Sequence, residues 1–210
     1  MRIGLLIEGG IDEEIIPPLV EQLMSIVPKP RRRGLDCYLV PFPPNGYGEI
    51  AKNLKMLVKL YDDSDQRKRI GCDLFVVVLD SHKTDVVQRE IKNILRGAKR
   101  FPAVYGLAIQ ETEAWVLGDI GNVNKHVFKV YPEPRLPQAP ERDPDPKKTL
   151  VDLFIHASHV LEYDAWNREC ARTVAPYLRK DTVAFRCVRG FRPFAMEFER
   201  IMRAHVAPPS

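Results

Sequence analysis

No stretch of this sequence approaches the roughly 20 consecutive apolar residues that a helix needs to cross a bilayer, so a helical membrane span is not expected. Cysteine is scarce. The four residues Cys37, Cys72, Cys170 and Cys187 fall in no CxxC or zinc-ligand spacing, which argues against a disulfide scaffold and a structural zinc. Reduced, mostly buried thiols are the expectation. Charge of one sign is nearly balanced: 32 Lys and Arg against 28 Asp and Glu leave a net charge of +4, which permits binding to a polyanion without requiring it. The chain passes from Met1-Arg2 straight into an apolar strand, without the basic, apolar and small-residue succession of a signal peptide, and a cytoplasmic location is expected. No internal repeat is evident. The aspartates of DDSDQRKRIG, Asp62 to Gly71, lack the glutamate a calcium loop would place after them, and the stretch reads as a charged loop.

What is present is an ordinary globular composition. The 210 residues are 45% apolar and 29% charged, enough for one large domain or a domain with a helical appendage. Apolar strands are expected at Ile3–Ile7, Leu35–Phe42, Phe75–Leu79 and Ala103–Ile109. Between them run helical patterns: Ile15 to Val27, with the regular helix starting near Pro17 because Pro17-Pro18 is awkward inside it; Ile50 to Tyr61; and Val87 to Leu95, stopped at Gly97. The alternation predicts an α/β, Rossmann-like three-layer domain with a mainly parallel sheet over residues 1–120. From 121 to 210 a proline-rich stretch, Tyr131 to Pro146, reads as an extended loop. Three helical patterns follow, around Leu150–Leu161, Trp166–Tyr177 and Phe194–Met202, with a short strand expected at Thr182–Val188. This part is expected to form a helical lobe packed on the sheet.

The chemistry-bearing residues lie where strands end. RIGLLIEGG runs from a strand into Glu8, and DLFVVVLDSHKTD runs from a strand into Asp80. In open α/β sheets the carboxyl ends of the strands form the ligand crevice, so acids at those ends are placed for chemistry as well as for capping. If the first and third strands are neighbours, Glu8 and Asp80 come together. Carboxylates brought together without a cation repel, and hard oxygen ligands suit Mg²⁺ or Mn²⁺, whose remaining positions take water and phosphate oxygens. Glu111, Glu113 and Asp119, after the fourth strand, are candidates for the same acidic edge.

At these residues the chain resembles a known group. IEGGIDEEIIPPLV, VVVLDSHKTD, AIQETEAWVLGD and the downstream DPKKTL look like the Toprim-like bacterial proteins of domain-of-unknown-function family 4276. They are similar in plan to the overcoming-lysogenization-defect nucleases and to the Toprim domains of topoisomerases and primases. The resemblance implies a Toprim-like fold with Glu8 as general acid or base. It also implies an Asp-x-Asp pair beginning at Asp80 that holds Mg²⁺ for phosphodiester cleavage of nucleic acid, in a setting of bacterial phage defence. The second position of that pair is His82 rather than aspartate. Imidazole is a poor ligand for Mg²⁺ and an acceptable one for Mn²⁺, so three outcomes stay open: Asp85 replaces the missing carboxylate, the site prefers Mn²⁺, or catalysis is weakened or lost. In the last case the protein is a non-catalytic nucleic-acid- or protein-binding subunit with a partner of its own.

Basic residues give candidate nucleic-acid contacts: Arg31, Arg32 and Arg33 in the loop before the second strand, Lys83 in the turn after Asp80, and a possible flank of Lys147, Lys148, Arg168, Arg172, Arg179 and Lys180. A solvated surface explains the Arg31–Arg33 run better than a nucleic-acid contact does, and it explains the C-terminal flank equally well. His156 and His159 have the spacing of a metal pair but no evident third ligand. Trp115 reads as a core anchor between sheet and lobe, and Ser81 has no histidine-based triad around it.

Overall fold

A computed structural model describes residues 1–25, 38–41, 46–81, 85–130, 138–156 and 166–206. Four strands form one wholly parallel sheet: β1 (Arg2–Leu6), β2 (Tyr38–Pro41), β3 (Leu74–Asp80) and β4 (Ala103–Ala108), in the order β2-β1-β3-β4. The connecting helices are α1 (Asp12–Met24), α2 (Gly46–Asp62), α3 (Ser64–Ile70) and α4 (Asp85–Gly97). Beyond β4 follow α5 (Glu113–Gly118), α6 (Ile120–Val123), α7 (Pro146–His156), α8 (Arg168–Val174), α9 (Lys180–Arg186) and α10 (Phe191–Val206). This is an α/β fold of Rossmann-like layout. No helix among the described residues is long and apolar enough to cross a membrane.

β3 is central because its sequence suits burial on both faces. Leu74, Val76 and Val78 join Ile3, Leu5 and Ile7 in a core shared with α1 and with α5 to α10, while Phe75, Val77 and Leu79 join Leu6 in a second core under α2 and α4. Three layers result, with period-two alternation deciding which side chain enters which core. On the first face α10 lies across β4, and Gly106 is what lets it approach. A Cβ at that position would sit 3.0 Å from the Phe194 ring. Trp115, fully buried, stacks on Phe194 at 6.0 Å and meets Phe191 edge-on at 5.0 Å. The buried carboxylate of Glu141 accepts from the backbone N–H groups of Arg189 at 2.7 Å and Gly190 at 2.6 Å, tying the turn before α7 to the turn before α10.

Among the elements that differ from the sequence expectation, three do so for a plain physical reason. α1 begins at Asp12 and runs through Pro17-Pro18 instead of starting there. Interior proline costs about 3 kcal/mol. Burying Ile15, Ile16, Leu19, Val20 and Leu23, at roughly 1.5–3 kcal/mol each, outweighs it. The segment expected as a charged loop contains α3, capped at one end by Asp63, whose carboxylate accepts from the N–H groups of Asp65 and Gln66, and closed at the other by Gly71 in the left-handed region. The strand expected at Thr182–Val188 is helix α9 and its terminus; Val183 and Cys187, four residues apart, are its buried positions. Cys72, Cys170 and Cys187 are free and buried, as expected, while Cys37 and His159 lie outside the described residues.

Candidate functional site

The carboxyl edge of the sheet is assembled from three short segments. After β1, Ile7 stays buried and Glu8 follows, then Gly9 and Gly10 at φ 103° and 62°, a backbone that only glycine adopts without strain. This turn delivers the chain at once into α1, with the Asp12 N–H donating to the Gly9 carbonyl at 3.3 Å. β3 is hydrogen-bonded directly beside β1, in the register Leu6 to Val77, so both strands end at one place. There the Asp80 N–H donates to Glu8 Oε1 at 3.4 Å.

The third segment follows β4. Gln110 takes a left-handed φ of 65°, and its N–H donates to Ser81 Oγ at 2.7 Å, while Ser81 N–H donates to the Ala108 carbonyl at 2.8 Å. Two residues on, the Thr112 N–H donates to Asp80 Oδ1 at 3.1 Å and its hydroxyl donates to Asp12 Oδ1 at 2.6 Å. Thr112 and Asp12 are both buried. Glu8, Asp80 and Asp12 therefore come from three different elements, and Thr112 bridges two of them. Thr112 went unrecognised in sequence because a threonine between two glutamates carries no spacing signal of its own.

Other expected acids are committed elsewhere. Glu113 is buried and accepts from Trp166 Nε1 at 3.0 Å; burial pushes its carboxyl above the usual range, the neighbouring Glu111 adding to the effect. Asp119 is taken up by Arg179, whose backbone N–H, Nε and Nη2 donate to it at 2.8, 3.0 and 2.8 Å. Asp85 opens α4 in an exposed position, its backbone carbonyl accepting from Arg89 Nε at 3.1 Å. His82, Lys83, Arg31, Arg32 and Arg33 lie outside the described residues.

Four of the six cations of the expected basic flank, Arg168, Arg172, Arg179 and Lys180, are engaged within the chain, while Lys147 and Lys148 stand exposed in the first turn of α7. Arg168 Nε meets Glu14 Oε1 at 2.7 Å and its Nη2 pairs with Glu13, while Arg172 grips both oxygens of Glu14 at 3.1 and 2.9 Å. The two guanidinium groups hold the Glu14 carboxyl down at about 2. Lys180 pairs with Asp181 at 2.8 Å. The bonds of Arg168 and Arg172 to Glu13 and Glu14 dock α8 against the first turn of α1. Sequence reasoning missed the docking, although Glu13-Glu14 at a helix start and arginines four residues apart were its visible halves.

The donor set at this edge fits a hard divalent cation of the kind held by one or two carboxylates with water and phosphate oxygens. A carboxylate offers about four lone-pair sites, and the Thr112 N–H takes one from Asp80. Among the described residues no group of three or more His, Cys, Asp or Glu side chains converges to hold a metal, so Asp85 does not complete a three-ligand set with Glu8 and Asp80. Compared with models of protein families, with curated proteins and with solved structures, the chain has no match.

Proposed function

We propose that the protein is a divalent-metal-dependent nuclease, cleaving phosphodiester bonds from a Toprim-like acidic edge, and that it serves in a bacterial phage-defence system in the cytoplasm. The observation that carries the reading is the meeting of Glu8 and Asp80 at the adjoining ends of two central parallel strands, joined through the Asp80 N–H. Two acids at a strand-end crevice suit metal and phosphate better than they suit packing. Glu8 and Asp80 would hold Mg²⁺ or Mn²⁺, with His82 the nearest further donor along the chain; when bound, the ion supplies Lewis-acid polarisation of a phosphoryl oxygen.

The chain's own residues have distinct parts in this reading. Glu8, at the start of the glycine turn, would move a proton at the attacking or leaving oxygen. Asp80 is held in orientation by the Thr112 N–H, and Thr112 by Asp12, so that the edge is set before substrate arrives. The experiment is to incubate the protein with supercoiled and single-stranded DNA in Mg²⁺ or Mn²⁺, beside Glu8→Gln and Asp80→Asn. Cleavage is expected in the wild type and is lost in both variants; cleavage that survives both contradicts the proposal.

A second reading, a non-catalytic subunit that binds nucleic acid or a protein partner, is favoured by one observation: Glu113 and Asp119 are spent on Trp166 and Arg179. It predicts DNA binding or stable co-purification with a partner and no metal-dependent cleavage.

A further inference from the structure

Ser81 stands half-buried at the end of the central strand, with every polar group but one engaged. Its N–H donates to the Ala108 carbonyl at 2.8 Å, so the ladder between β3 and β4 runs one residue past Asp80. Its carbonyl accepts from Gln88 Nε2 of α4 at 3.1 Å, and its Oγ accepts the Gln110 N–H at 2.7 Å. A hydroxyl has one hydrogen to donate beside its lone pairs. Among the described residues the Ser81 hydroxyl donates to none. Strand alternation places it. Phe75, Val77 and Leu79 share the face under α2 and α4 with Leu6, and Ser81 and Glu8 are the next residues of those two series. Asp80 continues the opposite series of Leu74, Val76 and Val78, and its N–H donates to Glu8 Oε1. Ser81 therefore lies on the side of the strand end that Glu8 occupies.

The hydroxyl is held by a strained backbone. Gln110 has φ 65°, a conformation that a Cβ disfavours. The other such non-glycine residue among those described, Lys129, closes the helical stretch 124–128, where a left-handed residue is routine. Glycine would adopt the Gln110 backbone without strain. Strain of this kind persists where surrounding contacts over-determine it. Here the Ser81 hydroxyl holds the Gln110 N–H and, two residues on, Asp80 Oδ1 holds the Thr112 N–H. The end of β3 and the turn after β4 are thus latched twice. For Ser81 the consequence is an oxygen fixed in place: one lone pair is committed to Gln110, and the hydrogen is left for an acceptor that the described residues do not supply.

We propose that Ser81 is a substrate-binding residue, its hydroxyl donating to a phosphate oxygen of a nucleic acid seated at the end of β3. An O–H donated to an anion makes a short, charge-assisted bond, roughly twice as strong as a neutral one. Glu8 and Asp80 repel a bare anion, so the phosphate enters with the divalent cation that they would hold, and Ser81 supplies a neutral donor beside that ion. A hydroxyl suits this place better than a lysine or arginine, whose charge would compete with the cation for the same carboxylates. The choice of a nucleic-acid phosphate rests on the proposed function above; the hydroxyl and its tie to Gln110 do not.

The test is binding of short fluorescein-labelled DNA, single-stranded and duplex, to the full chain in Ca²⁺, with gels of the same samples establishing that the DNA stays intact. The wild type is compared with Ser81→Ala, Gln110→Gly and the double variant. Ser81→Ala leaves the Gln110 N–H without its acceptor and is expected to melt below the wild type. Gln110→Gly relieves the turn, so the double variant is expected to melt above Ser81→Ala and provides the folded comparison. The double variant is expected to bind DNA about 10- to 100-fold more weakly than Gln110→Gly alone. Equal affinity of those two would show that Ser81 serves only the turn, and it overturns the proposal, as does a wild type that binds neither DNA in Ca²⁺. Because binding is read without cleavage, the two readings fail separately. A double variant that binds and cleaves like Gln110→Gly rejects Ser81 and leaves Glu8 and Asp80 standing, whereas the expected loss of affinity in a protein that never cleaves rejects the nuclease and keeps Ser81.

Discussion

The Thr112 hydroxyl donates to Asp12 Oδ1 across 2.6 Å in a buried position, joining residues one hundred apart in sequence. The bond matters because the same residue's N–H holds Asp80. Removing one partner strands a buried polar group, at about 1–3 kcal/mol. Thr112→Val is therefore expected to destabilise the fold by that amount in urea unfolding. A double-mutant cycle with Asp12→Ala should show a coupling of at least about 0.5 kcal/mol. Additive effects would mean that the pair does not act as a unit.

Glu14 gives a pH signature. Its carboxyl, held near 2 by Arg172 and Arg168, starts from an ordinary value of 4.5. A lowered acid contributes stability above its unfolded value and loses it as pH falls through the folded one. Wild type should exceed Glu14→Gln in melting temperature above pH 5, with the gap closing between about pH 4.5 and 2. The arginines are more than half exposed, so the gap is small and shrinks in high salt.

Glu113 behaves in the opposite sense. Burial raises its carboxyl, so its favourable contribution is present at low pH and is lost as pH rises through the folded value. Glu113→Gln keeps an acceptor for Trp166 Nε1 and removes the buried charge. The variant is expected to equal or exceed the wild type in stability at pH 8, its advantage disappearing below pH 4. A variant clearly less stable at pH 8 would show that the charge itself is needed.

Gly106→Ala tests the packing of α10 on β4. The new methyl would stand 3.0 Å from the Phe194 ring and 3.2 Å from Val78 Cγ2, tighter than ordinary contact. Overpacking of this kind costs about 1–3 kcal/mol. A smaller loss would mean that Phe194 shifts aside easily.

The parallel α/β core was legible because its signal is local: Phe75 to Leu79 is apolar on both faces, and each strand is followed by a helical period. The meeting of Glu8 and Asp80 followed from strand order alone. What was hidden depended on tertiary competition. The burial of Ile15 and Ile16 carries α1 through Pro17-Pro18. α3 rested on Asp63 and Gly71, whose capping roles were outweighed by the charge between them. Glu13 and Glu14 carried no signal of their own in the sequence, because Arg168 and Arg172 lie more than 150 residues away.

The most direct test of the central claim is anomalous scattering from crystals soaked in Mn²⁺. The account predicts a peak at the carboxyl edge between Glu8 and Asp80 that disappears in Asp80→Asn; a wild-type edge without a peak at saturating Mn²⁺, or a peak bound elsewhere and indifferent to Asp80, would contradict it.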